Sequence, residues 1–327
     1  MTERNVILEA KELKKHFPLR EGFFARATRF VRAVDGVSFS LYEGETMALV
    51  GESGCGKSTT GKLLLRLIEP TSGSVHFLGR DLINLDGREL LRVRQQLQII
   101  FQDTLASLNP RKTIAQILRK PFHLSATTNE NGDRQVPELL ELVGLSPSHL
   151  YLNRHPHELS GGQRQRVGIA RALALHPRVV VADEPVSALD MSVKAQILAL
   201  MKRLQQQFKL SYLFITHDLS VARSLASEVG VMYLGLIVEK GPVQRLFSNP
   251  LHPYTQALLS SVPIPNPRVA RSRQPIVLKG DLPSPIDPPT GCRFHTRCPF
   301  VMDRCREEDP LLKEKEEQHV VACFLHD

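Results

Sequence analysis

Eight residues constrain this chain more than any others: Gly51-Glu52-Ser53-Gly54-Cys55-Gly56-Lys57-Ser58, spaced G-x4-G-K-S and followed by Thr59. They come directly after the apolar run Met47-Ala48-Leu49-Val50 and before a helical pattern over Lys62–Ile68. A buried strand, a glycine loop and a helix form the context in which such a loop binds phosphate. Glycines let the backbone turn tightly and point successive N–H groups into one concavity. The helix that follows contributes the positive end of its dipole. Lys57 is then placed to reach the β- and γ-phosphates of a nucleotide, and the Ser58 hydroxyl to ligate Mg²⁺.

The rest of the first half supports an α/β reading. Val6–Ala10 and Ala33–Leu41 alternate apolar with small or polar residues, as half-buried strands do. Between them lie Phe17-Pro18 and a basic insertion carrying Phe23, Phe24 and Phe30. Phe17 is the candidate to stack on an adenine; local packing of these phenylalanines is the plain alternative. Pro70–Gly73 predicts a turn and Ser74–Phe77 a strand, and Leu97–Gln102 predicts a short strand ending in glutamine. Helical patterns follow over Thr113–Leu124 and Val136–Val143, around a polar loop tip at Ser125–Arg134. The stretch from about Asp103 to Leu159 thus reads as an α-helical insertion. Helices over Gln163–Leu175 and Val193–Phe208 then alternate with apolar strands at Val179–Ala182 and Tyr212–Ile215. Such alternation argues a parallel sheet.

Two further stretches complete a nucleotide chemistry. Asp183-Glu184 stands at the end of a buried strand, where one carboxylate can hold Mg²⁺ and the next can polarise an attacking water. An acidic pair after a strand is weak alone and strong with the glycine loop upstream. Leu159-Ser160-Gly161-Gly162-Gln163 places a good N-cap and two glycines before a helix, a second anion-binding N-terminus.

With these residues in hand, the chain resembles the ATP-binding cassette (ABC) ATPases. Gly51–Ser58 matches the P-loop, Gln102 the Q-loop glutamine and Leu159–Gln163 the signature. Val179–Asp183 with Glu184 matches the acidic strand and catalytic glutamate, Ser187-Ala188-Leu189-Asp190 the D-loop, and His217 the switch histidine. The resemblance covers about residues 6–245. It implies a P-loop NTPase core with an antiparallel β-subdomain and a helical subdomain at about 103–175. It also implies a head-to-tail pair of ATPases in which each ATP lies between one P-loop and the partner's signature. In that arrangement Glu184 orients water, His217 contacts the γ-phosphate, and Gln102 joins Ser58 and Asp183 at Mg²⁺.

The C-terminal third changes character. Residues 246–290 read as a linker or strap, since eight of the residues from Val262 to Thr290 are proline. Residues 291–327 hold Cys292, Cys298, Cys305 and Cys323, spaced x5, x6 and x17, and too little apolar mass for a core of their own. A reducing compartment disfavours disulfides. Zinc sites usually show short Cys-x2–4-Cys pairs, absent here. An iron–sulfur cluster needs four thiolates, and Cys298-Pro299 fits a ferredoxin habit; free buried thiols stay open. The run Asn249–Leu259, Pro283-Ser284-Pro285 and Gly291-Cys292 is similar to the C-terminal extension of peptide and nickel importer ATPases, dipeptide-permease members most and oligopeptide-permease members nearly as much. That resemblance implies a [4Fe-4S] cluster on the four cysteines, with zinc the lesser alternative.

Charge and length bound the rest. A net charge of +8 and a pI near 9.4 fit a membrane-surface partner or a solvated basic face. No block of five basic residues occurs, so nucleic acid is not expected as a partner. No run approaches the ~18–20 apolar residues of a membrane span, and Met1–Asn5 begins no signal peptide. The expected place is therefore peripheral, on the cytoplasmic face of the inner or plasma membrane. The resemblance implies a second ATPase subunit in a heterodimer, two membrane permease subunits and an extracytoplasmic substrate-binding protein. The expected cargo is dipeptides or short peptides; oligopeptides, nickel or another small solute are alternatives. A non-transport ABC ATPase fits less well, because those typically carry two cassettes or large inserts.

Overall fold

Two long strands, Val6–Leu19 and Arg29–Tyr42, enter an antiparallel four-stranded sheet in which Val6–Leu19 lies between Arg29–Tyr42 and Ser72–Phe77, with Arg80–Asp81 at the edge. Leu8 pairs with Phe77 and Ala10 with Val75, so the alternating apolar residues share one face. The computed structural model describes residues 4–19, 29–124, 132–262 and 276–327. The strands run beyond the expected Val6–Ala10 and Ala33–Leu41; in the first, the polar Lys11 and Lys14 also pair in the ladder, opposite Ser74 and Ser72. The expected basic insertion at residues 20–28, with Phe23 and Phe24, lies outside the described residues.

The chain divides into two compact units. The unit of residues 8–40, 46–83 and 215–327 holds most of that sheet and several strands of a second, eight-stranded one. In the second, Thr46–Val50 runs parallel to Glu228–Tyr233, with Met47 opposite Glu228 and Val50 opposite Val231. Leu236–Pro242 returns antiparallel, and His319–Val321 and Lys313–Glu316 extend the ladder. The helix after the glycine loop covers Lys57–Leu64 and stops short of the expected Ile68, because Arg66 takes a left-handed φ of 49°.

The tail, which has too little apolar mass for a core of its own, joins a larger one: Glu239 pairs with Val321, and Phe294, 1 % exposed, packs with Val50, Tyr233 and Tyr254 in one apolar cluster. Of the expected strap, helix Pro253–Ser260 buries Tyr254 and Leu259 in that cluster, whereas residues 285–287 follow a surface. Arg32 donates its N–H to the Pro285 carbonyl (2.9 Å), and Arg29 pairs with Asp287 (2.6 Å). Residues 263–275 lie outside the described residues.

The unit of residues 1–7, 41–45 and 84–214 pairs Leu97–Ile100 in parallel with Val179–Asp183, Leu97 opposite Val179. Between residues 103 and 159 its described residues form helices and no strand, as the pattern predicts. Helix Ile114–Leu124 buries Ile114, Ala115, Leu118 and Phe122, one stripe of the 3.6-residue period. Helix Gly132–Leu142 begins inside the expected loop tip, of which residues 125–131 are outside the described set. Helices Gly161–Leu173 and Met191–Phe208 each start two residues before the expected position, since Ser160 and Asp190 act as N-caps. Among the described residues no helix is long and apolar enough to cross a membrane.

Candidate functional site

The glycine loop is fixed by backbone crowding. A Cβ on Gly51 would stand 2.2 Å from the Met232 carbonyl oxygen, and one on Gly56 2.1 Å from that of Ala33. Gly56 has φ 107° and caps helix Lys57–Leu64 without any side-chain bond, so the first N–H groups of that helix get no partner from a cap. Lys57 is 4 % exposed, and its Nζ donates to the carbonyls of Gly51 and Glu52, both at 2.8 Å. Beneath the loop the Cys55 thiol is buried, and burial pushes its pKa up against the pull of Lys57. Ser53 and Gly54 are exposed; Ser58 and Thr59 are half-buried. The same unit holds His217, exposed after the strand Ser211–Thr216, and Phe17, 37 % exposed with the Lys15 ammonium 5.0 Å from its ring centre.

In the other unit the structure brings Gln102 and Glu184 together: Gln102 Nε2 donates to Glu184 Oε2 at 3.0 Å. Glu184 takes φ 44°, a conformation that costs a non-glycine residue about 1 kcal/mol or more and is concentrated at functional sites. Asp183 before it is 4 % exposed. Ser187 Oγ donates to the Glu184 carbonyl (3.1 Å), tying the expected D-loop to the strand end. Asp190 accepts from the Val193 N–H and the Ser192 hydroxyl, and these bonds hold its carboxyl below the usual range.

The expected signature forms a capping box. Ser160 Oγ accepts from Gln163 N–H (3.3 Å) and Gln163 Oε1 accepts from Ser160 N–H (2.9 Å). Leu159 is buried, while Ser160 and Gly161 are exposed. Gly162 is required for packing, since its Cβ would meet Val193 Cγ1 at 2.5 Å.

Sequence reasoning missed a set of residues around Glu52. Tyr254 Oη accepts the Glu52 N–H at 2.9 Å, and Arg297 Nη1 donates to both Glu52 carboxylate oxygens at 3.1 and 3.0 Å. The only available signal was the conspicuous run His252-Pro253-Tyr254-Thr255. His252 caps helix Pro253–Ser260 through Nδ1, which accepts the Tyr254 N–H (3.0 Å) and must therefore be unprotonated. Glu239, fully buried, accepts from Leu251 N–H (2.8 Å) and His252 N–H (2.9 Å) and meets His319 Nε2 at 2.8 Å.

Burial lowers the His252 pKa to about 4 despite the nearby Glu239 carboxylate. Unfolded, the ring titrates near 6.5, so between those values the unfolded chain binds more protons and stability falls with falling pH. The contribution is complete above pH 6.5 and is lost towards pH 4, on the order of 3 kcal/mol in full. Urea midpoints at pH 7.5 and 5.0 should therefore separate in the wild type. The gap should shrink in His252→Asn, which keeps a capping acceptor without a titrating ring.

The four tail thiols interact electrically. Burial pushes Cys292 up to about 12, Cys323 up to about 11 and Cys298 upward, and the neighbouring cysteines add to each rise. Against this, backbone N–H groups of Phe294, Phe300 and Leu325 donate to Cys292, Cys298 and Cys323 respectively. Cys292 also donates its own N–H to the Cys305 carbonyl (2.9 Å). Among the described residues no three His, Cys, Asp or Glu side chains are gathered around a point as a metal ion requires.

Comparison with known proteins places this geometry in context. Residues 34–187 match the family described as "ABC transporter", and residues 238–305 match "Oligopeptide/dipeptide transporter, C-terminal region". The chain is 54% identical to the oligopeptide transport ATP-binding protein AppF of Bacillus subtilis, covering 100% of both chains. It is 50% identical to the dipeptide transport ATP-binding protein DppF of Escherichia coli, over 100% of this chain and 96% of that one. Among solved structures, the ATP-binding cassette MJ0796, a dimer in a post-hydrolysis state with ADP and Pi bound, superposes with a TM-score of 0.64. It is 29% identical and covers 72% of this chain and 99% of its own.

Proposed function

This chain belongs to the ABC transporter ATPases, and from that premise we propose that it is the ATP-hydrolysing motor of an importer for dipeptides or short peptides. The observation that carries the reading is full-length similarity to peptide transport ATP-binding proteins, tail included. The division we assign is 1–245 for the nucleotide-binding domain, 246–290 for the strap and 291–327 for the cysteine tail.

The roles follow from chemistry. Backbone N–H groups of Gly51–Ser58, that of Glu52 excepted because it donates to Tyr254, and the Lys57 ammonium bind the phosphates, and Thr59 and Phe17 flank the nucleotide. Ser58, Gln102 and Asp183 would hold Mg²⁺, which supplies charge neutralisation on the phosphates when bound. Glu184 accepts hydrogen bonds from the attacking water and aims it at the γ-phosphorus. Gln102, bonded to Glu184, fixes that carboxylate. His217 donates to the γ-phosphate as negative charge builds there. Leu159–Gln163 faces the ATP of a second ATPase subunit, assigned as a different chain, with Ser187 and Asp190 at the same junction. Two membrane permeases and an extracytoplasmic binding protein complete the importer, with this chain on the cytoplasmic face of the membrane.

The four tail thiols are assigned to a [4Fe-4S] cluster, which takes four thiolates, with zinc the lesser alternative. N–H groups of Phe294 and Leu325 donate to Cys292 and Cys323 and offset part of the rise that burial imposes on these thiols. Among the described residues no metal-holding group is gathered for either. When bound, the cluster supplies a covalent crosslink of the tail and an electron-accepting centre.

One purification tests the whole reading: the chain is isolated without oxygen from detergent-solubilised membranes. Copurifying permeases, a brown colour with absorbance near 400 nm and about four irons per chain are expected. Copurification with ribosomes or DNA would overturn the transport assignment, and a colourless chain with stoichiometric zinc the cluster assignment.

A further inference from the structure

Glu52 is held twice by the C-terminal segment. Its backbone N–H donates to Tyr254 Oη at 2.9 Å, and its carboxylate receives Arg297 Nη1 on both oxygens at 3.1 and 3.0 Å. Neither partner is a mobile surface group, since Tyr254 is fully buried and the Arg297 side chain is 10 % exposed. Tyr254 stacks edge-on against Tyr233, their ring centres 4.7 Å apart, and Phe294 closes the group at 5.4 Å from Tyr254. The Arg297 guanidinium also lies against the Tyr233 hydroxyl. Cys292 and Cys298 border this same cluster, and Arg297 directly precedes Cys298 in the chain.

The position of Glu52 gives these bonds their meaning. It follows Gly51, and Lys57 Nζ donates to the carbonyls of both. In a phosphate loop most backbone N–H groups turn into the concavity. Here the Glu52 N–H is turned away from it, onto a hydroxyl of another segment. That bond sets the rotation of the Gly51–Glu52 peptide and hence the direction of the N–H groups that follow. A surface ion pair contributes little, but this one joins a mostly buried arginine to a loop whose backbone is already anchored.

We propose that Tyr254 and Arg297 are positioning residues for ATP binding, which hold the P-loop in its phosphate-binding form, Tyr254 from the strap and Arg297 from the cysteine-bearing tail. They act through Glu52 and touch neither phosphate nor water. The C-terminal segment, strap and tail together, thereby sets ATP affinity, while the chemical step, built on Glu184, stays unaffected. The inference rests on the loop being the nucleotide site and is independent of which solute is carried.

The test uses the full chain, with equilibrium binding of a fluorescent ATP analogue and steady-state hydrolysis. Tyr254→Phe deletes one oxygen from an otherwise unchanged ring and leaves the Glu52 N–H without its acceptor. It should raise Kd and KM for ATP about tenfold with kcat within about twofold, a split that marks lost ground-state binding. Glu52→Gln and Arg297→Gln should each weaken binding about three- to fivefold, and the double variant no more than the worse single. Unchanged affinity in a folded Tyr254→Phe protein, a fall in kcat at constant KM, or additive effects in the cycle would each overturn the proposal. If Tyr254→Phe does not fold, the Glu52–Arg297 cycle decides alone. A wild-type chain that binds no ATP would instead overturn the reading of the loop, and this inference with it.

Discussion

Glu184→Gln is expected to stop turnover while leaving ATP binding intact. The substitution keeps the size of the side chain and an oxygen that Gln102 Nε2 can still reach, so the 3.0 Å contact survives. What it removes is the negative charge that draws a proton from the attacking water. A loss of about a thousandfold in kcat corresponds to roughly 4 kcal/mol of transition-state stabilisation. Single-turnover hydrolysis beside equilibrium ATP binding checks both halves of the statement. A variant that hydrolyses at more than a tenth of the wild-type rate would remove Glu184 from the mechanism.

Gly56→Ala should do to binding what Glu184→Gln does to chemistry. The new Cβ would lie 2.1 Å from the Ala33 carbonyl oxygen at φ 107°, and no side-chain movement relieves a collision with backbone. The loop must shift, carrying Lys57 and the N–H groups of its helix out of register. About a hundredfold weaker ATP binding is expected, close to 2.7 kcal/mol. Gly54→Ala is the control, because it has φ 82° and no atom within 4 Å of the added Cβ. It shares the backbone strain and lacks the collision, so similar losses in the two variants would refute the crowding argument.

The candidate motifs were legible because each is local. Gly51–Ser58, Leu159–Gln163 and Asp183-Glu184 carry their chemistry within a few residues, and the flanking apolar runs reveal the strand or helix that presents them. The helical insertion was readable for the same reason. The ends of elements were not, because Ser160 and Asp190 cap through side-chain geometry that residue type alone only suggests. The grip on Glu52 was invisible. Arg297 lies 245 positions from its partner, and an arginine beside a cysteine reads as one more basic surface residue. The packing of the tail was not legible: counted alone it has little to bury, yet Phe294 joins a core that Val50 begins, and Val321 pairs with Glu239 in the ladder.

The buried Glu239 has a consequence for synthesis. Its carboxylate lies fully inside the protein with His319 against it, 80 residues further along the chain. The N–H groups of Leu251 and His252 that it accepts from are made soon after it, but the buried set of partners is complete only once His319 has been made. At 5–20 residues per second that interval is roughly 4–16 s on the ribosome. During it, Val50, Tyr233 and the strand that leads into the glycine loop remain incompletely covered. The glycine loop, one of the first features to leave the ribosome, therefore waits for Tyr254 and Arg297, 202 and 245 positions later, before Glu52 has its bonds. A chain released early at a damaged message would bear the whole P-loop motif without a finished place to hold it.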